Sequence, residues 1–270
     1  MIKVNGKDYE YSFFPDGTLL MKYGVEEDTD EIQYRITWLF ENLTEQVVLQ
    51  NLVWHIQEKN PSAKITLRLS YVLNGRMDRT QNPDEIFTLK YFARFINELG
   101  FYRVYIIDPH SSVASALINK VFVDNEQFKK IIDKVIGKVK PDLLYYPDNG
   151  CQKRLEGLIR HPHIIGYKDR DWDSGEILDT EILGTSKIDI AGKTILMVDD
   201  ICSYGGTFYF AGEKLKELGA GEIHLYITHC ENSILEGKLI NSGLLKKIYT
   251  TNSIYKGEHP LIEVVGSVDD

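Results

Sequence analysis

Polar and apolar positions alternate in short runs at the start of the chain and then shift to a longer period. Val4 precedes the turn pair Asn5 and Gly6, and Tyr9 and Tyr11 alternate with polar neighbours, so the opening predicts a hairpin. Asp16 and Gly17 form a second turn signal, ahead of an extended stretch over 19–23. Across 43–59, Val47, Val48, Asn51, Leu52 and Ile56 fall near helical spacing, and Asn60 with Pro61 stops the helix before a strand over 65–73. The order then repeats, with a helix over 87–99 ended by Gly100, a strand over 104–107, a helix over 128–139 and a strand over 143–146. The second half predicts a helix over 152–160, a strand around 164–165 and a polar segment over 168–175. An extended stretch over 176–183, a strand over 194–198, a helix over 207–218 ended by Gly219 and a strand over 223–228 follow. Short apolar strands separated by helices of about a dozen residues predict an α/β protein with parallel sheets covered by helices. No repeat of short period is present, but strand-loop-helix units recur in both halves, and the expected division lies between 1–125 and 126–270.

Composition narrows the class. A chain of 270 residues that is 43% hydrophobic can build a sizeable core, and its 26% charged residues and 8 prolines exclude disordered and collagen-like proteins. The formal charge of -9 argues against duplex nucleic acid or an anionic membrane as a partner for the surface as a whole. Cys151, Cys202 and Cys230 stand far apart and form no Cys-x-x-Cys pair, so they read as reduced thiols rather than a disulfide framework or a zinc site. The amino terminus lacks the basic-then-apolar layout of a signal peptide, and no apolar run approaches the roughly 20 residues of a membrane span. A cytoplasmic location is the expectation.

The segment over 194–207 carries the most specific chemistry. An apolar strand delivers Asp199 and Asp200 at its carboxyl end; Ser203, Tyr204, Gly205 and Gly206 then lead into a helix at Thr207. Ligands of open α/β sheets bind outside the carboxyl ends of strands. Backbone N–H groups of a glycine-containing loop at a helix start can hold a phosphate, and adjacent carboxylates can hold ribose hydroxyls or a magnesium ion. An ordinary strand-turn-helix with an acidic surface pair is the plainer alternative.

This segment resembles the phosphoribosyl pyrophosphate binding motif of the type I phosphoribosyltransferase fold. The first half extends the likeness: Arg76, Asp78 and Arg79 resemble the ATP-site Arg-Gln-Asp-Arg stretch of the ribose-phosphate pyrophosphokinases, with Met77 departing from it. Asp108 and His110 resemble the Asp-Leu-His of their magnesium site, with Pro109 departing. Phe14, Asp16 and Gly17 are similar to a loop that reaches the adenine of a neighbouring subunit, with Thr18 in place of the family Glu. The run from Tyr146 through Asp148 to Lys153 and Arg154 is similar to the family's Ser-Pro-Asp segment, which makes Asp148 a metal ligand alongside His110. Lys168 and Arg170 are similar to its mobile catalytic loop. The resemblance implies two phosphoribosyltransferase-like domains, each a mostly parallel sheet flanked by helices. ATP would bind the first through Phe14, Asp16, Arg76, Asp78, Arg79 and His110. A ribose phosphate would bind the second through Asp199, Asp200, Ser203, Tyr204, Gly205, Gly206 and Thr207.

The implied reaction is Mg2+-dependent transfer of the diphosphate of ATP to the 1-hydroxyl of a sugar, releasing AMP, in a homo-oligomer such as a dimer or hexamer. Phosphoryl-type transfer needs in-line positioning and charge neutralisation, which Mg2+, Lys168 and Arg170 would supply. One departure bears on the sugar. Tyr204 stands where the family has a small hydroxyl residue, which raises a sugar extended beyond its 5-phosphate, such as ADP-ribose, beside ribose 5-phosphate itself. Two alternatives keep the fold: a phosphoribosyltransferase, for which no base-binding hood is evident, and a non-catalytic regulatory homologue, against which the retained charged residues argue.

Overall fold

The computed structural model describes residues 1–22, 33–170, 177–183 and 188–268. Its chain divides into two compact units, Met1–Asp124 and Asn125–Val268. The first opens with β1 (Ile2–Val4), β2 (Lys7–Tyr9), β3 (Tyr11–Phe13), β4 (Leu19–Met21) and β5 (Gln33–Trp38). It continues through α1 (Thr44–Lys59), β6 (Lys64–Leu69), α2 (Thr88–Glu98), β7 (Arg103–Ile106), α3 (Ser112–Leu117) and β8 (Val121–Val123). The second runs through α4 (Asn125–Val139), β9 (Leu143–Tyr146), α5 (Asn149–Leu155), β10 (His163–Arg170) and β11 (Ile177–Leu183). It ends with β12 (Ile195–Cys202), α6 (Gly206–Glu217), β13 (Ile223–Cys230), β14 (Lys247–Thr251) and β15 (Ile262–Gly266).

The first unit holds a six-stranded sheet in the order β2-β1-β5-β6-β7-β8, parallel from β5 onward. Asn5 and Gly6, both at positive φ, make the tight turn that pairs β1 with β2. β6 alternates outward Lys64, Thr66 and Arg68 with buried Ile65, Leu67 and Leu69, and the inward row packs with Val48, Leu52 and Ile56 of α1 and Leu89, Phe92 and Ile96 of α2. A separate hairpin of β3 and β4 turns at Asp16 and Gly17 and exposes Phe13 and Phe14.

The second unit holds a seven-stranded sheet in the order β11-β10-β9-β12-β13-β14-β15, parallel except for the antiparallel edge strand β11. β13 is buried at every position, the signature of a central strand covered on both faces. One face packs with Phe208, Ala211 and Leu215 of α6, while Phe128 of α4 meets Tyr226 edge-on. An α/β protein with two mostly parallel sheets flanked by helices is therefore observed.

Several elements differ from expectation. β10 continues as a strand through Arg170 where the polar side chains predicted a loop from residue 168; backbone pairing with β11 at the sheet edge sustains a strand whatever its side chains. α5 ends at Leu155, short of the expected helix over 152–160, and begins earlier because Asp148 caps it by accepting from the Cys151 N–H at 2.9 Å. β12 extends four residues beyond Val198, carrying Asp199 and Asp200 into its last turn of pairing with β13.

Candidate active site

In the second unit, three adjacent parallel strands end together. β9 delivers Asp148, β12 delivers Asp199 and Asp200, and β13 delivers Glu231. Arg154, nearly two turns along α5 from its capping Asp148, reaches back over this edge: one guanidinium nitrogen lies 3.1 Å from Asp199 Oδ1 and 3.2 Å from Asp200 Oδ1. Neighbouring carboxylates repel, and burial penalises their charge, so the Asp199 carboxyl is pushed well above the usual carboxylate range, burial first and Asp200 second, with Arg154 opposing. The pair therefore stands beside one cation with carboxylate oxygens that can accept from sugar hydroxyls.

The loop after β12 is closely held. Gly205 caps α6 in the left-handed conformation at φ 80°, and a Cβ there would come within 2.7 Å of Leu239 Cδ2. Gly237 lies so near the Tyr204 carbonyl that a side chain would overlap it. The Tyr204 ring itself is 58% exposed at the lip of the loop. The first-turn N–H groups of α6, from Gly206 and Thr207, have no acceptor inside the helix and form an anion-binding end. Ser203 donates to Glu231 Oε2 at 2.7 Å.

Tyr145, inward on β9, is fully buried, and its hydroxyl has no partner among the described residues. Burial pushes that hydroxyl up, with the charges of Asp148 and Asp199 adding to the effect.

The first unit brings Arg76, Asp78, Arg79 and His110 to loops at the carboxyl ends of β6 and β7, whereas Phe14 and Asp16 lie on the separate β3–β4 hairpin. A Cβ built on Gly75 would stand 3.7 Å from His110 Cβ, so the loops bearing Arg76 and His110 meet. Arg79 pairs with its own neighbour: Nε to Asp78 Oδ1 is 2.9 Å and a terminal nitrogen to Oδ2 is 3.3 Å, with the Arg79 side chain 75% exposed and that of Asp78 5% exposed. This guanidinium holds the Asp78 carboxyl below the usual carboxylate range, and the charge of His110 adds to it. Asp108 adopts φ 41°, the left-handed region, immediately before Pro109 and the exposed His110. Asp16 holds its turn by accepting from Thr18 N at 2.9 Å and Thr18 Oγ1 at 2.7 Å, beside exposed Phe14.

The two expected metal ligands stand in different units, His110 in the first and Asp148 in the second. A single imidazole or a single carboxylate fits Mg2+ only when phosphate oxygens and water complete the shell, as for a metal carried in on a nucleotide. Among the described residues no cluster of three or more His, Cys, Asp or Glu could hold a metal by itself. The side chains of Lys168 and Arg170 lie outside the described residues; their backbones lie on β10, opposite Thr180 and Ile177 of β11. Arg154 and Glu231 were not singled out as site residues by the sequence. Arg154 is separated from the acid pair by 45 and 46 positions, and Glu231 shows only as an acid just past the end of a strand.

The chain matches no protein-family model. It is 28% identical over 251 residues to a ribose-phosphate pyrophosphokinase of Sulfurisphaera tokodaii, covering 91% of this chain and 84% of that one. Against the ribose-phosphate pyrophosphokinase of Methanosarcina acetivorans it is 26% identical over 255 residues, covering 92% and 85%. The crystal structure of phosphoribosylpyrophosphate synthetase from Mycobacterium smegmatis superposes with a TM-score of 0.69 at 17% identity, over 97% of this chain and 86% of that chain, and shares its fold. No helix among the described residues is long and apolar enough to cross a membrane.

Proposed function

We propose that the chain, 26–28% identical to ribose-phosphate pyrophosphokinases over most of its length, is a distant homologue of that family and transfers the β,γ-diphosphate of ATP to the 1-hydroxyl of ribose 5-phosphate or of a 5-phosphoribosyl derivative such as ADP-ribose. The observation that carries this reading is the end of β12, where a buried acid pair stands beside a helix start with unpaired N–H groups. Asp199 and Asp200 would hold the two ribose hydroxyls, and the first turn of α6 with Thr207 would take the 5-phosphate. The residues of the first unit, Arg76, Asp78, Arg79 and His110, would receive ATP, with Phe14 and Asp16 reaching the nucleotide of a neighbouring copy in a homo-oligomer.

The 1-hydroxyl oxygen attacks the β-phosphorus, the bond from that phosphorus to the oxygen of the α-phosphate breaks, and AMP leaves. Lys168 and Arg170 would neutralise charge on the transferred oxygens, where each such contact is worth several kcal/mol in the transition state. Mg2+ bound to the phosphates of ATP would polarise the diphosphate, with His110 of the first unit and Asp148 of the second as its expected protein ligands. The exposed Tyr204 ring offers a stacking face for the base of an extended sugar.

Incubation with Mg-ATP and either ribose 5-phosphate, ADP-ribose or ribose tests the reading by the nucleotide released. AMP formed only in the presence of a phosphorylated sugar is expected; ADP in place of AMP overturns it. Base–aromatic stacking of about 1–3 kcal/mol sets the finer test: Tyr204→Ala should lower kcat/KM for ADP-ribose by roughly 5-fold to 150-fold and leave ribose 5-phosphate nearly unchanged.

A further inference from the structure

Glu231 sits where a phosphate-binding loop has least use for a negative charge. Its N–H donates to the Cys202 carbonyl at 2.8 Å, which fixes it beside the residue that begins the loop. Its Oε2 then accepts from Ser203 Oγ at 2.7 Å and from Ser233 Oγ at 3.3 Å. The following segment is strapped to the same loop through Gly237 against the Tyr204 carbonyl and Leu239 against Gly205, with Ile234 and Leu239 buried, so the carboxylate is held in place.

Two consequences follow for an anion at the start of α6. The Ser203 proton is committed to a carboxylate, which is the stronger acceptor, so this hydroxyl is withdrawn from the donors that the loop can turn toward a phosphate. The carboxylate also adds a fixed negative charge at the site itself. A terminal 5-phosphate, with a second pKa near 6, is mostly dianionic at neutral pH and presents three free oxygens. A 5-phosphate that bears a further group, through an ester or an anhydride bond, carries one charge and presents two. We infer that Glu231 is a specificity-determining residue that turns this loop against terminal phosphate monoesters and toward sugars whose 5-phosphate carries a further group. The inference rests on the pyrophosphokinase reading and names the acceptor class within it.

The test separates charge from size. Wild-type protein is assayed for AMP release with ribose 5-phosphate, with its 5-(methyl phosphate) ester, which has one charge fewer and no base to stack, and with ADP-ribose. The methyl ester should exceed ribose 5-phosphate in kcat/KM by about tenfold, a difference of about 1.4 kcal/mol. Glu231→Gln, which keeps an acceptor for Ser203 and removes the charge, should erase that ratio by raising ribose 5-phosphate use and change ADP-ribose use by less than about threefold. Calorimetric binding of the two small sugars to both proteins, with melting curves to verify folding, gives the same ratio without turnover. Equal use and equal binding of ester and monoester by the wild type, or a Glu231→Gln change that falls equally on all acceptors, overturns the role of Glu231 while leaving pyrophosphoryl transfer intact. Absence of AMP with every sugar overturns the enzymatic reading instead, and the binding ratio still decides the charge discrimination.

Discussion

The two units use the same device, loops at the carboxyl ends of parallel strands, but they manage charge differently. In the second unit Asp200 is buried and Asp199 largely so, and their counter-ion Arg154 comes from a separate helix 45 and 46 positions away. In the first, Asp78 finds its cation in the next residue, and that Arg79 is largely exposed. One site is assembled by tertiary packing, with acids and counter-ion both largely shielded; the other shields its acid but leaves the counter-ion, supplied by the next residue, in water. A buried ion cluster of the first kind is costly to break, because the partner left behind stays desolvated, whereas a guanidinium that stays in water adds less to its pair.

Removing Arg154 should therefore have the largest effect. Arg154→Met is expected to cost about 3–5 kcal/mol of stability, the range for an uncompensated buried charge, and to abolish sugar binding, both read by chemical unfolding and calorimetry. The loss should depend on pH in a stated direction. Asp199 holds its proton more tightly in the fold than in the open chain, so its contribution to stability is present at acid pH and is lost as pH rises through its folded-state value. Without the guanidinium that value climbs further, so the variant should be more destabilised relative to wild type at about pH 8 than at about pH 5. A pH-independent deficit would separate Arg154 from the acid pair.

Next come Lys168→Ala and Arg170→Ala, each expected to lower kcat by about 10²-fold, the usual cost of a lost transition-state charge contact, with the melting temperature within a few degrees of wild type. Unchanged turnover in both would remove the β10 residues from the chemistry. On the first unit, Arg79→Ala should raise the KM for ATP roughly tenfold while costing less stability than Arg154→Met, because the Arg79 guanidinium lies in water and its contribution is screened. A stability loss as large as that of Arg154→Met would erase the distinction between the two sites.

The same distinction governs what the sequence could reveal. The Asn5-Gly6 hairpin, the strand at 143–146 and the passage from β12 through Gly205 into α6 are local, so residue type and spacing expose them. β5, α3, β8, β14 and β15 were missed: they span three to six residues, too few for periodicity to register without sharp turn signals at their ends. Asp199 and Asp200 were legible as a pair, but Arg154 on top of them and Glu231 beside Ser203 arise only when α5 and β13 pack next to β12. Charge repulsion and hydrogen bonding across such distances leave no trace in spacing.

The smallest expected effect on the isolated chain, and the sharpest on the comparison, comes from Phe14. A site formed from exposed local segments lacks walls, and the β3–β4 hairpin ends in two rings, Phe13 and Phe14, that are 54% and 47% exposed. Adjacent exposed aromatics on a turn are a costly arrangement unless another surface covers them. If a second copy of the chain closes the open ATP site with this hairpin, Phe14→Ser should leave unfolding nearly unchanged, shift light scattering toward monomer, and raise the KM for ATP at low protein concentration. The wild type should show specific activity that climbs with protein concentration, and the variant should lag behind it until association is restored. A monomeric wild type with full activity at assay concentration would make the first site self-sufficient, and the contrast between an enclosed and an open site would then concern charge burial alone.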